Sequence, residues 1–322
     1  MPTLPSSTYQ KPWYLFNPHL ETIYPALTRR IRDVRYRRER LWLQDGDFVD
    51  LDWVDNDSQK LIVLTHGLEG NTDRHYIKGM ARRFSRQGWD VLGWNCRSCS
   101  GEINLKSRLY NHGEIGDIGE VVGHALQQKD YQHIVLIGFS MGGNISLKYT
   151  GANAENLPSP VKGVIAFSAP VDLGESAQLL DLPDNRFYKN RFLRMLREKI
   201  TQKEAQFPGL VDLSKLDQIE KWKDFDNFFS APISGYKDAD DFYQQGSAIN
   251  YMGPIRIPCL LVNALNDPIL SPKCFPKAFC DDHPRIFLET PKYGGHVGFS
   301  GGGEGVFNWA EQRAWQFVQS IL

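Results

Sequence analysis

The sequence predicts an α/β protein in which a mostly parallel central sheet carries helices on both faces and one helical insertion. Two observations lead to this prediction. Short apolar runs without polar alternation recur along the chain, separated by segments of helix length, which is typical of parallel strands buried on both faces. Between residues 171 and 250 this rhythm stops, and the sequence becomes charged, aromatic and helix-prone. A chain of 322 residues is long enough for such a core with one insertion.

Each predicted strand is a short cluster of apolar residues. The runs that predict parallel strands are residues 61–64, 91–94, 134–137, 163–167, 259–262 and 285–288. The segments that predict helices are residues 76–87, 118–128, 144–149 and 307–321. Residues 34–43 and 48–53 alternate partly around an Asp-Gly turn and predict an antiparallel hairpin.

These elements divide the chain into four predicted parts. Residues 1–33, rich in proline and aromatic side chains, are expected to be an extension packed on the core rather than a domain. Residues 34–170 form the first part of an α/β core, and residues 251–322 form the second part. Residues 171–250, inserted between two strands of the sheet, are expected to form a helical lid over the active site.

The composition excludes several classes of protein. Apolar residues make up 41% and charged residues 23% of the chain, as in an ordinary soluble globular protein. A formal net charge of -1 argues against a general nucleic-acid binder, because such proteins depend on neutralising phosphates. No apolar run approaches the roughly 20 residues of a membrane span, and the N-terminus shows no secretory signal.

The five cysteines are odd in number and irregularly spaced. Cys96 and Cys99 have a C-x-x-C spacing that is also found in redox and zinc sites. Because no second pair completes such a site, both are interpreted as loop thiols. A reducing, cytoplasmic environment is the expectation that fits this cysteine usage.

The pattern that points to function is G-x-S-x-G, formed by Gly138, Ser140 and Gly142. It follows the predicted strand 134–137 and precedes a helix-compatible segment, so the serine is expected on a tight strand-to-helix turn. Positions two residues before and after that serine are crowded, and a Cβ at either would clash. The turn exposes the serine hydroxyl and puts the Met141 amide at a helix N-terminus, where it can face an oxyanion. Such a turn is the nucleophile elbow of the α/β-hydrolase fold.

A serine nucleophile needs a general base, and the base needs an orienting carboxylate, in the chain order Ser, Asp or Glu, His. His296 follows the last predicted strand on a glycine-rich loop and is predicted to be the base, whereas His283 precedes that strand and would lie at the wrong end of the sheet. Asp267 comes just after the strand 259–262 and is predicted to be the acid, the alternative being an ordinary Asp-Pro turn. The other late carboxylates, interpreted as a solvated turn, are Asp281 and Asp282.

The second oxyanion donor is expected on the loop after the strand 61–64. This loop contains His66 and Gly67, and its glycine lets the backbone approach the serine closely. The backbone N–H of Leu68 is therefore the predicted donor beside that of Met141. His66 is interpreted as a brace of this loop rather than as a catalytic residue.

Two basic clusters are open to two interpretations. Seven arginines lie between Arg29 and Arg40, and the lid segment from Arg186 to Lys199 is also cationic. They can be solvated faces of a strand and a helix, the interpretation that we favour, or they can face anionic lipid or an acidic substrate. In the lid, the arginines are expected to face water while an apolar helix face turns inward with the side chains Phe187, Phe192, Leu193 and Leu196.

Four segments besides the elbow carry a resemblance to a known family. They read NPHLETI at residues 17–23, HGLEG at 66–70, NCRSCSG at 95–101 and RLYNHGE at 108–114. With the elbow, they resemble the AB hydrolase-4 family of α/β-hydrolases, the YheT-type esterases. Ser98 stands where the family usually has glycine, a difference that leaves the triad untouched and bears on the rim of the pocket.

The resemblance implies a cytoplasmic serine esterase acting on short- to medium-chain carboxylic esters, with Ser140, Asp267 and His296 as its triad. The expected function is thus a serine carboxylesterase that uses no metal or other cofactor and acts on a small-molecule or lipid-like ester. Acyl transfer to an alcohol, thioester hydrolysis and lipid hydrolysis use the same triad and stay open. A non-catalytic binding protein on a hydrolase scaffold is the alternative from another class. Weak contact with a membrane surface and a monomeric or dimeric state also stay open.

Overall fold

The computed structural model describes residues 7–322. Within these residues, eight strands form one sheet in the order β1-β2-β4-β3-β5-β6-β7-β8. The last six strands of the chain pair in parallel, whereas β2 pairs antiparallel with both β1 and β4. The strands are β1 (Arg37–Trp42), β2 (Phe48–Val54), β3 (Lys60–Thr65), β4 (Asp90–Asn95), β5 (His133–Phe139), β6 (Val161–Phe167), β7 (Cys259–Val262) and β8 (Ile286–Glu289). The predicted mostly parallel sheet and its antiparallel hairpin are confirmed.

Helices precede, connect and follow these strands. They are α1 (Pro18–Thr28), α2 (His75–Ser85), α3 (Gly116–Gln128), α4 (Met141–Ala152), α5 (Leu173–Leu179), α6 (Arg186–Gln206), α7 (Trp222–Phe225), α8 (Ala231–Ile233), α9 (Ala239–Gly246), α10 (Lys277–Asp282) and α11 (Trp309–Ile321). The helices predicted after the strands begin and end within a few residues of α2, α3, α4 and α11. Among residues 7–322, none of the helices combines the length and apolar character of a membrane span.

The central strands are apolar at every position because both faces of the sheet are covered. In β3, Leu61 and Val63 pack into the apolar cluster on one face, and Ile62 and Leu64 pack into the cluster on the other. Side chains of a strand alternate between the two faces, so a doubly covered strand needs apolar residues throughout. This requirement explains the non-alternating runs from which the parallel sheet was predicted.

The parallel strands all end at the same edge of the sheet. The loops that follow β3, β5, β7 and β8 carry Leu68, Ser140, Asp267 and His296, respectively. Because the carboxyl ends of parallel strands lie side by side, residues far apart in the sequence come close there. The fold thereby brings the four sequence-predicted positions to one edge.

Residues 171–250 contain α5 to α9 and have an apolar cluster of their own. This cluster includes Ile269, on the loop that carries Asp267, and the partly buried Leu68 packs against it. The inserted helices therefore lie against the edge of the sheet where the candidate residues meet.

One helix of the insertion differs from the prediction. In α6, Leu193 and Leu196 are buried as expected, but Phe187 is 60% exposed and its predicted inward orientation is wrong. Arg191, expected to face water, is half-buried. The helix has two neighbours, the cluster of the insertion and a cavity beside Ser140, so more than one of its faces is covered.

The N-terminal segment contains a helix that was not predicted, α1. Asn17 caps it by accepting a hydrogen bond from the His19 amide (2.7 Å), and Pro18 occupies its first turn. Tyr9, upstream of the helix, packs its ring against Phe299 and Trp309. The expected extension covers residues 1–33, of which residues 1–6 lie outside the described part of the chain.

Candidate active site

Ser140 lies in the turn between β5 and α4, with φ of 53° and ψ of -122°. Residues other than glycine rarely adopt this conformation, and it is sustained only where the surroundings enforce it. The neighbouring glycines make the turn sterically feasible. A Cβ at Gly138 would overlap the Gly142 carbonyl, and a Cβ at Gly142 would overlap the Thr65 carbonyl. The turn is therefore fixed by close backbone contacts that exclude a side chain at either glycine.

The structure brings Ser140, His296 and Asp267 into one hydrogen-bonded chain. The distance from His296 Nε2 to Ser140 Oγ is 2.9 Å, and that from His296 Nδ1 to Asp267 Oδ2 is 2.8 Å. A carboxylate only accepts, so Nδ1 carries the proton and donates it to Asp267. Nε2 then has a free lone pair toward the serine hydroxyl, which is the tautomer that a general base needs.

Both carboxylate oxygens of Asp267 accept a hydrogen bond. Its Oδ1 accepts a hydrogen bond from the Ile269 amide (2.9 Å), and the side chain is buried. The rejected candidates lie elsewhere, because α10 places Asp281 and Asp282 ahead of β8, at its amino end. His283 also precedes β8, and its Nε2 lies 3.2 Å from the Gly253 carbonyl oxygen.

The loop after β3 is held by a buried histidine. His66 Nδ1 donates to the Gly67 carbonyl (2.7 Å), and its Nε2 accepts from the Cys96 amide (3.0 Å). Burial lowers the pKa of His66 to about 4, so the ring is neutral at pH 7. The Gly67 carbonyl also accepts from the Gly70 amide (2.9 Å). His66 is thus a brace of the loop, and both of its ring nitrogens are engaged with backbone groups rather than with Ser140.

This anchoring orients the next amide. In a planar trans peptide the N–H of Leu68 points away from the Gly67 carbonyl, which is already occupied by two donors. Met141 is the first residue of α4, where an amide has no acceptor within the helix. Within residues 7–322 neither amide donates a hydrogen bond, and Leu68 lines the same cavity as Ser140. Both amides are available to a ligand oxygen beside the serine.

The loop that carries His296 is held by residues that the sequence analysis did not identify. The His296 amide donates to Thr22 Oγ1 on α1 (2.9 Å), and the Val297 amide donates to Ser168 Oγ after β6 (2.9 Å). Val297 has φ of 59°, which is strained for a β-branched residue. These bonds fix the backbone on both sides of the imidazole.

Glu21 connects the two loops of the candidate triad. It is 1% exposed, and its carboxylate accepts from the Gly294 amide (2.6 Å) and from Asn266 Nδ2 (2.8 Å). Asn266 Oδ1 in turn accepts from the Gly295 amide (3.1 Å). Burial raises the pKa of Glu21, and the bonds from Asn266 and Gly294 offset part of that rise. We name Glu21, Thr22 and Asn266 the histidine-loop brace.

One signal in the sequence points to this brace. Asn17-Pro18 is a helix-start pattern, and it opens the segment 17–23 on which the family resemblance partly rests. The pattern predicts a helix, but it does not tell what the helix contacts. The partner of Glu21 lies 273 residues away, and no local rule links the two.

Two cavities meet at Ser140 and His296. The smaller has about 50 Å³ of free space and is lined mainly by apolar side chains of the insertion, among them Leu173, Phe192 and Phe242. The larger has about 470 Å³ and runs between α1, α2 and α6. Leu193 and Leu196, expected on the inward face of the lid helix, belong to neither cavity, whereas Phe192 lines both. Among residues 7–322 no group of three or more His, Cys, Asp or Glu side chains is placed to hold a metal ion.

Comparisons with known proteins agree with the fold and identify the family. Residues 60–302 match the family model described as alpha/beta hydrolase fold. The chain is 32% identical to "Putative esterase YheT" of Escherichia coli over 89% of this chain and 85% of that protein. It is 27% identical to "Phospholipase ABHD3" of Homo sapiens over 90% of this chain and 73% of that protein. The Pyrococcus furiosus esterase PF2001 superposes with a TM-score of 0.61 at 17% identity, covering 90% of this chain and 91% of that one.

The chain belongs to the α/β-hydrolases. The resemblance to YheT-type esterases predicted from the sequence is confirmed, and relatives named esterase or phospholipase match most of the chain. The likeness to PF2001 supports the fold alone, because the identity is low.

Proposed function

We propose that the protein is a serine esterase in which Ser140 is the nucleophile, His296 the general base and Asp267 the orienting acid. The observation that carries this proposal is the continuous chain of hydrogen bonds of 2.9 and 2.8 Å at the carboxyl edge of the sheet. A serine alone is a weak nucleophile, and this arrangement supplies the proton acceptor that activates it. The amides of Leu68 and Met141 are proposed as the oxyanion hole.

The reaction follows from these positions. His296 Nε2 takes the Ser140 proton while Oγ attacks the ester carbonyl, and the carbonyl oxygen becomes an oxyanion facing the two amides. The carbon–oxygen bond to the alcohol breaks, His296 returns the proton to the leaving alkoxide, and the acyl group remains on Ser140. Water, deprotonated by His296, then attacks the acyl-enzyme and releases the carboxylic acid. Asp267 stays ionised and stabilises the imidazolium in both steps.

The smaller cavity supports a preference for short acyl groups. A water-sized group needs about 10–15 Å³ of such free space, so the 50 Å³ beside Ser140 suits an acyl chain of a few carbons. Apolar side chains of the insertion line it, and burial favours binding by roughly 0.8 kcal/mol per methylene. The proposed substrates are therefore short-chain carboxylic esters, with medium chains requiring movement of the insertion.

Hydrolysis of lipid esters is a second candidate. It is favoured by the relatives named phospholipase, which match 90% of this chain. The same triad would act on such an ester, and only the size of the group admitted on each side of the bond differs.

The test is a series of p-nitrophenyl esters with acyl chains of two to twelve carbons, combined with labelling by a fluorophosphonate. We expect kcat/KM to peak at short chains and the label to be recovered on the peptide that contains Ser140. A label on another residue would overturn the assignment of the nucleophile. A rate that keeps rising to long chains would favour the lipid-ester candidate.

A further inference from the structure

The larger cavity beside Ser140 is lined by a large excess of positive charge. Its wall holds six cationic side chains and a single carboxylate, Asp73. We name this cavity the arginine cleft, after its cationic residues Arg29, Arg30, Arg32, Arg74, Lys78 and Arg191. Ser140 and His296 lie in its wall, so a molecule in the cleft reaches the proposed catalytic residues.

Several of these cations have no counter-charge. Lys78 pairs with Asp73 (2.7 Å), and Arg29 pairs with Glu311 behind the cleft (2.6 Å). Arg74 donates to the Glu69 backbone carbonyl (2.8 Å), which carries no net charge. In the described part of the chain, no ion pair or hydrogen bond involves the side chains of the remaining three, which are Arg30, Arg32 and Arg191.

Arg191 is distinctive because it is half-buried as well as unpaired. Burial and the nearby Arg74 and Arg194 lower its pKa, and Glu69 offsets this only in part. Nearby, burial and the charges of three arginines lower the pKa of His75 to about 3. His75 Nδ1 is buried without a hydrogen-bond partner in the described chain. A partly desolvated positive charge without a partner is costly, and an anion in the cleft would remove that cost.

The arrangement of the two cavities assigns the anion to one side of the ester. The smaller, apolar cavity suits the acyl group, so the alcohol portion of the substrate extends into the arginine cleft. We propose that the arginine cleft binds a phosphate or carboxylate group carried by the alcohol portion of the ester, with Arg191 and Arg74 as its main contacts. This inference rests on the proposed esterase function and names the class of substrate for the same site.

Guanidinium groups suit this role because their planar fork can donate two parallel hydrogen bonds to a phosphate or carboxylate. The β1 arginines show the contrast: Arg38 and Arg40 are fully engaged with Asp52 and Asp50, as expected for a solvated strand face. We favoured the interpretation that both basic clusters are solvated faces, and the residues around the cleft depart from it. Around the cleft, Arg30, Arg32 and Arg191 lack the carboxylate partners that the strand arginines have, whereas Arg29 pairs with Glu311.

The test compares two soluble esters that differ by one phosphate, 1-butyrylglycerol and 1-butyrylglycerol 3-phosphate. We expect the parent protein to show a kcat/KM for the phosphorylated ester at least about tenfold higher, mainly through KM, because a charge-assisted hydrogen bond is worth about that factor. The substitution Arg191→Gln should reduce this ratio about tenfold, and Arg191→Lys should reduce it less. Arg186→Gln, an exposed change at the first residue of the same helix that lines neither cavity, is the matched control and should leave the ratio unchanged.

Phosphatidylcholine vesicles that contain either diacylglycerol or phosphatidic acid as the ester whose hydrolysis is followed distinguish a lipid headgroup from a soluble phosphate ester as the source of the anion. Preference for the phosphate-bearing ester in either form, lost in Arg191→Gln, supports the proposal. Equal rates for phosphorylated and neutral esters in both forms would overturn it while leaving the esterase proposal intact.

A binding experiment makes the outcome independent of catalysis. In the Ser140→Ala background, calorimetry with glycerol 3-phosphate should give binding that is about tenfold weaker after Arg191→Gln, and glycerol should show none. If no ester is hydrolysed but glycerol 3-phosphate binds in this way, the esterase proposal fails and the anion site stands. Equal affinity with and without Arg191 would overturn the anion site.

Discussion

Ser140 and His296 meet at 2.9 Å, but the two segments that carry them are built differently. The turn of Ser140 is determined by five consecutive residues and by backbone contacts that leave no room for a Cβ at Gly138 or Gly142. The loop of His296 is held by hydrogen bonds from three distant parts of the chain, which include Glu21 and Ser168. Steric exclusion by backbone atoms is nearly absolute, whereas each polar bond contributes only about 1 kcal/mol. We therefore expect all-or-none effects at the serine and graded effects around the histidine.

The largest effect is expected from Ser140→Ala. Loss of the nucleophile should lower kcat by about 10⁴- to 10⁶-fold and abolish fluorophosphonate labelling. Alanine adopts the same backbone conformation at similar cost, so Tm should change by no more than a few degrees. Ester hydrolysis and differential scanning measure the two quantities. Labelling that persists in the variant would exclude Ser140 as the nucleophile.

Next in size is Asp267→Asn. The amide would donate to His296 Nδ1 and favour the wrong imidazole tautomer, so kcat should fall by up to about 10⁴-fold with little change in fold. Asp282→Asn, an exposed carboxylate in α10, is the control and should change kcat less than twofold. A large loss in the control and a small one in Asp267→Asn would reverse the assignment of the acid.

A smaller effect is expected from Glu21→Gln, which changes the histidine-loop brace. Glutamine can accept only one of the hydrogen bonds from Gly294 and Asn266, so the loop loses part of its support, and kcat should fall about tenfold. KM should stay nearly constant because Glu21 lines neither cavity. A rise in KM without a change in kcat would contradict a positioning role.

The same variant has a predicted dependence of stability on pH. Burial raises the pKa of Glu21 above its ordinary value of 4.5, so folding favours the protonated form. Its contribution to stability is fully present below pH 4.5 and is lost as pH rises through the raised pKa. The Tm of Glu21→Gln relative to the parent should therefore increase as pH rises from about 4.5 to 8. A constant difference would show that Glu21 has the same pKa in the folded and unfolded chain.

The smallest effect is expected from Thr22→Val, which removes the acceptor of the His296 amide while keeping the shape of the side chain. Loss of one hydrogen bond of about 1 kcal/mol predicts a roughly fivefold fall in kcat. Thr28→Val is a matched control on the same helix, since its hydroxyl likewise donates to the carbonyl four residues earlier but faces solvent. Equal losses in the two variants would assign the effect to α1 itself rather than to the bond to His296.

The same contrast explains how much was predictable from the sequence. Apolar runs such as residues 61–64 identified the parallel strands because a strand that is buried on both faces needs apolar residues at every position. The G-x-S-x-G pattern placed Ser140 in its turn, and chain order then brought attention to Asp267 and His296, which the structure brings together. The functional roles of these residues stay predictions until they are tested.

The parts that could not be predicted depend on contacts between distant segments. Helical spacing showed which α6 residues share a face, but it could not show that a second face meets a cavity, so the orientations of Phe187 and Arg191 were wrong. The role of Glu21 was missed because its partner Gly294 follows 273 residues later. Sequence patterns report the local environment of a residue, whereas the orientations and partners of these residues depend on segments far away in the chain.

The attachment of α1 to the histidine loop has a consequence for synthesis on the ribosome. Glu21 is synthesised 273 residues before the backbone amide that it binds, about 14–55 s earlier at 5–20 residues per second. Strands β3 to β6 and the elbow can form in that interval, before the Gly294 amide that Glu21 binds has been made. The proposed catalytic arrangement is therefore completed only after the loop of His296 has been made and the helix that carries Glu21 closes onto it.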